Sequence, residues 1–323
     1  MHHSSRVPAL ALVVGAVAAL GSYPAAATSI PPAAASATIR VSTLAFCDDP
    51  IVWGIDQGIF AEHGLDIELT TVQSGAAGIA ALQGGDLDVV YANPLSSLQA
   101  IDTGIDLQVI SGSTLSTETS NEIIVATDSD IETAADLDGE TVALNALGGL
   151  AEIVTAAWIE ANGDGATVEF VAIPFADQVT SVVNGTVTAA EVGSTQSAAA
   201  HEEGTVRSLG NPFFDGIGEI PTSFYVANAG WVADNEAAAA AFAAAMTEVA
   251  ASANDDANDA ARFEVTAAAC GSTPEDLASA SESTYVGQLD ADQVAALMTL
   301  LTDAGAIGDL SVDDVLPAFA RAS

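Results

Sequence analysis

The chain has 323 residues, with five Lys plus Arg against 44 Asp plus Glu, no lysine at all, and a formal net charge of −39. Such a field repels phosphate backbones and anionic lipid headgroups, which excludes nucleic acid as a partner and peripheral docking on an acidic membrane. The same surplus is expected of a surface kept soluble by its own charge.

At the amino end, Leu10–Leu20 (LALVVGAVAAL) is an apolar run too short to span a bilayer, followed by small residues. This pattern is that of a secretory signal peptide, with cleavage after Ala27 or after Ala37. No cysteine follows the run and no second long apolar stretch occurs downstream, so an exported, extracytoplasmic and soluble mature chain is expected. The remainder is long enough for two lobes of about 100–150 residues each. The two cysteines, Cys47 and Cys270, are permitted one bridge by an oxidising compartment, but the sequence leaves open whether they meet.

Residues 38–44 alternate as a strand and lead through a short loop into a helix opening at Pro50, with Ile51, Ile55 and Ile59 on one face and Gly64 as its stop. Asp48 and Asp49 precede that helix; Asp49 stands where it caps the helix, and nothing near in sequence would raise either pKa. Leu65–Val72 is a second strand, Ser74-Gly75-Ala76-Ala77-Gly78 a turn into a helix, and Asp88–Tyr91 a third strand running into Asn93-Pro94 and another helix. This β-α-β-α-β run is the signature of a parallel sheet with helices on its faces. After a strand at Glu122–Ala126 the pattern restarts, with a strand at Thr141–Leu144, a turn at Asn145–Gly149, a helix over Leu150–Asn162 and a strand at Val168–Ile173. Pro221–Ala227 is extended, and helices are expected over 235–251, 259–269, 274–281 and 290–304.

The expected fold class is therefore α/β with two doubly wound sheets. Residues 1–37 are read as signal peptide and arm, 38–126 with 228–323 as lobe 1, and 127–227 as lobe 2. The stretches 123–127 and 222–228 are read as the two crossings between them.

Catalytic and metal-binding patterns are scarce. His63 and His201 stand far apart and read as surface histidines, and no G-x-S-x-G, H-E-x-x-H or Walker motif occurs. No catalytic residue, cofactor or metal is expected. What stands out is three strand-to-helix turns of small residues, at 74–78, 93–95 and 145–149, where doubly wound sheets bind ligands against helix N-termini.

Residues 49–64 (DPIVWGIDQGIFAEHG), continuing into Leu65, Asp66 and Ile67, resemble the opening of the ABC-transporter substrate-binding proteins for aliphatic sulfonates, taurine and nitrate, a family that includes thiamine-precursor binders. Gly75–Pro94 resembles that family's ligand loop and the strand after it, Asp136–Gly163 the start of its second lobe, and Leu289–Leu316 its last helices. The resemblance implies a two-lobed periplasmic-binding-protein fold (type II). It further implies a monomer that closes on a small-molecule ligand and passes it to an ABC permease. By position it carries ligand contact to Phe46, Cys47, Asp48, Ser74, Gly75, Asn93, Asn145, Ala146 and Leu147, with Phe175 placed to cover the ligand. Where relatives read D-A-x-x-x-x-E-P-F/Y this chain has 188–196, TAAEVGSTQ, and Thr195 is the residue from that stretch expected at the ligand. A secreted enzyme using Asp48 and Asp49 with Glu191, and a sensor that presents its closed state to a receptor, are the other readings.

Overall fold

A computed structural model of the chain describes residues 36–215, 218–280 and 283–322. The expected signal peptide and the cleavage candidate after Ala27 lie outside the described residues. The other candidate, Ala37, is already the first residue of a strand.

The chain opens with β1 (Ala37–Thr43), α1 (Ile51–Asp56), α2 (Ile59–Glu62), β2 (Leu65–Thr71), α3 (Gly75–Gly84), β3 (Val89–Ala92), α4 (Pro94–Asp102) and β4 (Leu107–Leu115). It continues with β5 (Asn121–Ala126), β6 (Thr141–Leu144), α5 (Leu150–Asn162), β7 (Glu169–Ala172), α6 (Phe175–Val183), β8 (Ala189–Gly193), α7 (Ser194–Glu202) and β9 (Val206–Gly210). It closes with β10 (Pro221–Asn228), α8 (Ala229–Asp234), α9 (Glu236–Ala253), α10 (Asp259–Cys270), α11 (Pro274–Ser279), β11 (Thr284–Tyr285), α12 (Ala291–Asp303) and α13 (Val312–Val315).

These strands form two sheets, one in the order β11-β4-β10-β3-β1-β2 and one in the order β7-β6-β8-β5-β9. β1 runs parallel to β2 and β3, and β6 parallel to β7 and β8, while β10, β11 and β5 are the antiparallel strands. Each sheet buries both faces. Val89, Tyr91 and Tyr225 pack with Trp53, Phe242 and Met246 on one side of the first sheet, and Val90, Ala92 and Phe224 with Leu98, Leu297 and Leu301 on the other. Consecutive strand residues thus alternate between two apolar layers, the pattern of a sheet sandwiched by helices.

Two expectations need correction, and several elements had none. The helix opening at Pro50 is not continuous: Gly58 adopts φ 73° and splits it into α1 and α2, and Gly64 at φ 74° ends the second piece. Without a Cβ, glycine enters this left-handed region at little cost. β4 carries no alternation that marks it as a strand, because all but one of its nine residues are buried and its Ser-Gly-Ser centre reads as loop. α6, α7, β8 and β9 likewise had no expectation attached. Finally, the stretches read as crossings are strands: β5 pairs with β8 and β9 in the second sheet, and β10 with β3 and β4 in the first. The chain passes between sheets over 116–120 and 211–220 instead.

Gly54 shows how the amino-terminal motif serves packing. A Cβ there would lie 2.2 Å from Val249 Cγ2 of α9 and 2.9 Å from the Phe60 ring, so only glycine lets α1 approach α9 this closely. Gly54→Ala is expected to cost about 1–3 kcal/mol through overpacking, read as a lower denaturation midpoint at unchanged m-value.

Candidate ligand-binding site

The topology fixes where a crevice lies. β1, β2, β3 and β4 all run one way in the first sheet, so Thr43, Thr71, Ala92 and Leu115 end on its carboxyl edge. The first crossing leaves from Leu115 and enters the second sheet at Asn121, which is paired with Gly193, the carboxyl end of β8. The return crossing starts at Gly210, beside Ile123, and re-enters at Pro221 opposite Leu115. Both crossings therefore join the carboxyl edges of the two sheets, which is where open α/β sheets bind ligands.

Every residue expected at the ligand stands on these edges. Phe46, Cys47 and Asp48 follow β1, Ser74 and Gly75 follow β2, and Asn93 follows β3; Asn145, Ala146 and Leu147 follow β6, Phe175 opens α6 after β7, and Thr195 is the second residue of α7 after β8. Their local roles differ. Phe46 is 54 % exposed and sets its ring edge against Tyr91, centroids 6.2 Å apart; Leu147 at 54 % and Phe175 at 43 % are exposed on the other sheet's edge. Ala45, just before Phe46, holds φ 54°, an uncommon conformation for a residue with a Cβ.

Cys47 offers no thiol to a ligand, since it is joined to Cys270 at the end of α10 with a Cα–Cα distance of 5.2 Å. The bridge that the sequence left open is thus formed. Gly75 is buried, and a Cβ on it would meet Ala92 Cβ at 2.9 Å, so its smallness serves the packing of α3 on β3. Ser74 and Asn93 cap their own helices, accepting from Ala77 N at 3.1 Å and Ser96 N at 2.8 Å.

Beneath Phe46 lies a polar network that sequence reasoning missed. The N-cap of α1 is Pro50 rather than Asp49, which accepts from Ile51 N at 3.2 Å from one residue earlier; it is buried and also accepts from Thr43 Oγ1 at 2.7 Å and from the Tyr225 hydroxyl at 2.5 Å. Burial raises its pKa to about 6, against the pull of those three donors, and Asp48 adds to the rise. Asp48, which accepts a hydrogen bond from Ser283, is also raised by burial. The reading that nothing raises these carboxyls fails because their surroundings come from β10 and from residue 283, far away in sequence. Tyr91 stacks edge-on to Tyr225 at 5.4 Å, and burial, with the two aspartates nearby, holds both phenols well above their usual range.

On the second sheet Glu191 is 2 % exposed. Asn121 Nδ2 donates to its Oε1 at 3.0 Å, and burial raises its pKa to about 7. Gln178 of α6 bridges the Glu191 carbonyl and the Asn145 N–H when its amide nitrogen faces Glu191, at 3.2 and 3.0 Å. Of the four described arginines only Arg262 comes near these edges, through Tyr285, which pairs with Thr114 beside the carboxyl end of β4. Arg40 binds Asp88 and the Gly85 carbonyl beyond the amino end of β3, and Arg207 the carbonyls of Ser129 and Ile131. Arg262 pairs with Asp259 and Tyr285, and Arg321 with Asp313 and the Leu316 carbonyl. His63 and His201 are bound to Glu248 and Glu122. Among the described residues no cluster of His, Cys, Asp and Glu is arranged to hold a metal ion, and no helix is long and apolar enough to cross a membrane.

Two α/β sheets joined by two crossings at their carboxyl edges define a periplasmic-binding-protein fold. The chain belongs to the NMT1/THI5-like family, whose model matches residues 49–260. Among solved structures it is similar to the periplasmic aliphatic sulphonate-binding protein SsuA from Escherichia coli, with 19% identity, TM-score 0.69, and coverage of 84% of this chain and 94% of that one. It is similar too to the periplasmic nitrate-binding protein NrtA from Synechocystis PCC 6803, at 16% identity and TM-score 0.63, covering 87% and 86%. A third, at 16% identity and TM-score 0.64 over 88% and 97%, is the desulfurization enzyme DszB. No curated protein matches the chain.

Proposed function

We propose that the chain is an exported, non-catalytic solute-binding protein, monomeric, that closes two lobes on a small molecule and delivers it to an ABC-type importer in the membrane. The lobes follow the sheets: residues 37–115 with 221–322, and residues 121–210. The observation that carries this reading is that both crossings join carboxyl edges, each of which exposes large apolar side chains: Phe46 on one, Leu147 and Phe175 on the other. A ligand touching both edges stabilises the closed state by its differential affinity, and micromolar binding, about −8 kcal/mol, suffices for a carrier. Family membership and the fold shared with SsuA and NrtA support the same reading.

The test is small-angle scattering and thermal melting of the purified chain across a panel of small solutes. One ligand is expected to raise the melting temperature saturably, reduce the radius of gyration and remain chemically unchanged. Phe46→Ala and Phe175→Ala are each expected to weaken that ligand about tenfold, or about 1.4 kcal/mol, while leaving the unliganded melt unaltered. Consumption of the ligand would replace the carrier by an enzyme.

A further inference from the structure

The crevice edges are built to refuse anions. An anion in such a fold is held by a cationic side chain or by the free N–H groups of helix N-termini. Arg40, Arg207 and Arg321 are engaged away from the edges, and Arg262, which comes near one through Tyr285, is buried and paired with Asp259. The helix starts are partly taken as well. Asp49 takes the Ile51 N–H at α1, Ser74 the Ala77 N–H at α3 and Asn93 the Ser96 N–H at α4. At α5 the Glu152 carboxylate accepts from Gly148 N at 2.7 Å, so a protein anion already sits on that dipole. α6 carries Asp177 in its first turn, and the first N–H of α7 donates to the Ser120 carbonyl at 3.0 Å. Even the Asn145 N–H is taken, by Gln178.

What the edges offer instead is acceptors and π-faces. Glu191, nearly fully buried beside the first crossing, has one oxygen bonded to Asn121, and no other hydrogen bond reaches its carboxyl among the described residues. A polar group buried with spare acceptor capacity is costly unless something binds it. On the opposite edge Asp48 adjoins Phe46, whose exposed ring, like that of Phe175, presents the negative face that attracts cations. The chain's net charge of −39 acts in the same sense, concentrating cations and depleting anions around the crevice.

From these placements we infer that the cargo is a small organic cation with an apolar body, a quaternary ammonium or protonated nitrogen base, held between Phe46 and Phe175 with Glu191 and Asp48 as its counter-charges. This ligand class rests on the carrier reading and differs from the ligands named for SsuA and NrtA. It makes Glu191 the specificity-determining residue, at a position in the stretch 188–196 that the pattern of its relatives leaves open.

The experiment is calorimetric titration and thermal melting of the purified chain with choline, putrescine and 1-methylnicotinamide as cations, and taurine and nitrate as anions. At least one cation is expected to bind saturably and neither anion to shift the melt. Glu191→Gln and Asp48→Asn are each expected to weaken the cation at least tenfold. Glu191→Gln retains the hydrogen-bonding shape, so its own unliganded melt reports whether it folds; should it not fold, Asp48→Asn, which removes the other counter-charge, decides the matter. Binding of taurine or nitrate without any cation overturns the inference and leaves the carrier reading standing. A melt that none of these five solutes shifts overturns the inference and leaves the carrier reading to its own wider panel.

Discussion

Replacing Cys47 and Cys270 together by serine is expected to lower the stability of the chain by about 2–5 kcal/mol, a fall of several degrees in melting temperature. The bridge closes a loop across 223 residues, and chain-entropy arguments give their largest values for such long loops. It also ties the loop after β1 to the end of α10. Cys47 lies in the loop after β1, between Phe46 and Asp48, and Cys270 ends α10, where Gly271 turns the chain at φ 76° into α11. The small apolar cluster of Phe263, Ala267 and Leu277 packs against Cys47 there, a contact that holds the loop only while the bridge keeps it close. Denaturation of wild type and double variant, each with and without reductant, separates the contributions. Reductant is expected to lower the wild type to the level of the variant and to leave the variant unmoved. Equal midpoints for oxidised wild type and variant would show that the packing alone holds the loop.

The sequence and the structure meet unevenly, and the reason is the range over which each feature is decided. The β-α-β-α-β run from Thr38 to Asp102 and the helix at Leu150–Asn162 were legible because periodicity, caps and glycine stops act within a few residues. β4 was not, since its Ser-Gly-Ser centre is buried by partners brought from residues 221–228 and 284–289, including Leu289 and Val286 packed over Gly112. The crossings were misplaced for the same cause: Glu122–Ala126 and Pro221–Ala227 read correctly as extended, but only pairing assigns β5 and β10 to their sheets. At the site, the turns at 74–78, 93–95 and 145–149 were found from composition and do stand on the carboxyl edges. Their small residues turn out to serve helix packing and capping, as Gly75, Ser74 and Asn93 show. Glu191 could be noticed in sequence only as an acid in an alanine-rich strand; that it is buried and bonded to Asn121 follows from the β5–β8 register.

Burial of Glu191 and Asp49 has a thermodynamic consequence that runs against the usual behaviour of carboxylates. Glu191 has its pKa raised to about 7 from 4.5, and Asp49 to about 6 from 3.8. Between roughly pH 4 and 7 the folded chain therefore binds more protons than the unfolded chain, and the unfolding free energy falls as pH rises. The stabilising contribution of each protonated carboxyl is complete below its unfolded pKa and lost by the time pH passes its folded pKa. A shift of about two units corresponds to about 3 kcal/mol for one group. Asp136, whose carboxylate is held low by Thr133, has the opposite sign but loses its contribution only below the ordinary carboxylate range, outside this window. The chain is thus expected to be most stable near pH 4–5 and to weaken toward pH 8. Relief of self-repulsion at low pH adds in the same direction, so the wild-type curve alone does not isolate the buried groups. Glu191→Gln does: the neutral amide is expected to leave stability at pH 4–5 nearly unchanged and to raise it at pH 8 by about 1–3 kcal/mol, flattening the profile. Asp49→Asn, where the hydroxyls of Tyr225 and Thr43 can turn to accept, is expected to act likewise at slightly lower pH. Chemical denaturation at half-unit intervals from pH 4 to 8 measures this, and curves for wild type and Glu191→Gln that stay parallel throughout would mean that folding leaves the pKa of Glu191 unshifted. A Glu191→Gln variant that is more stable yet binds its cation more weakly would set the two roles of this carboxyl against each other: a buried acid that costs the fold stability near neutral pH is retained for what it holds.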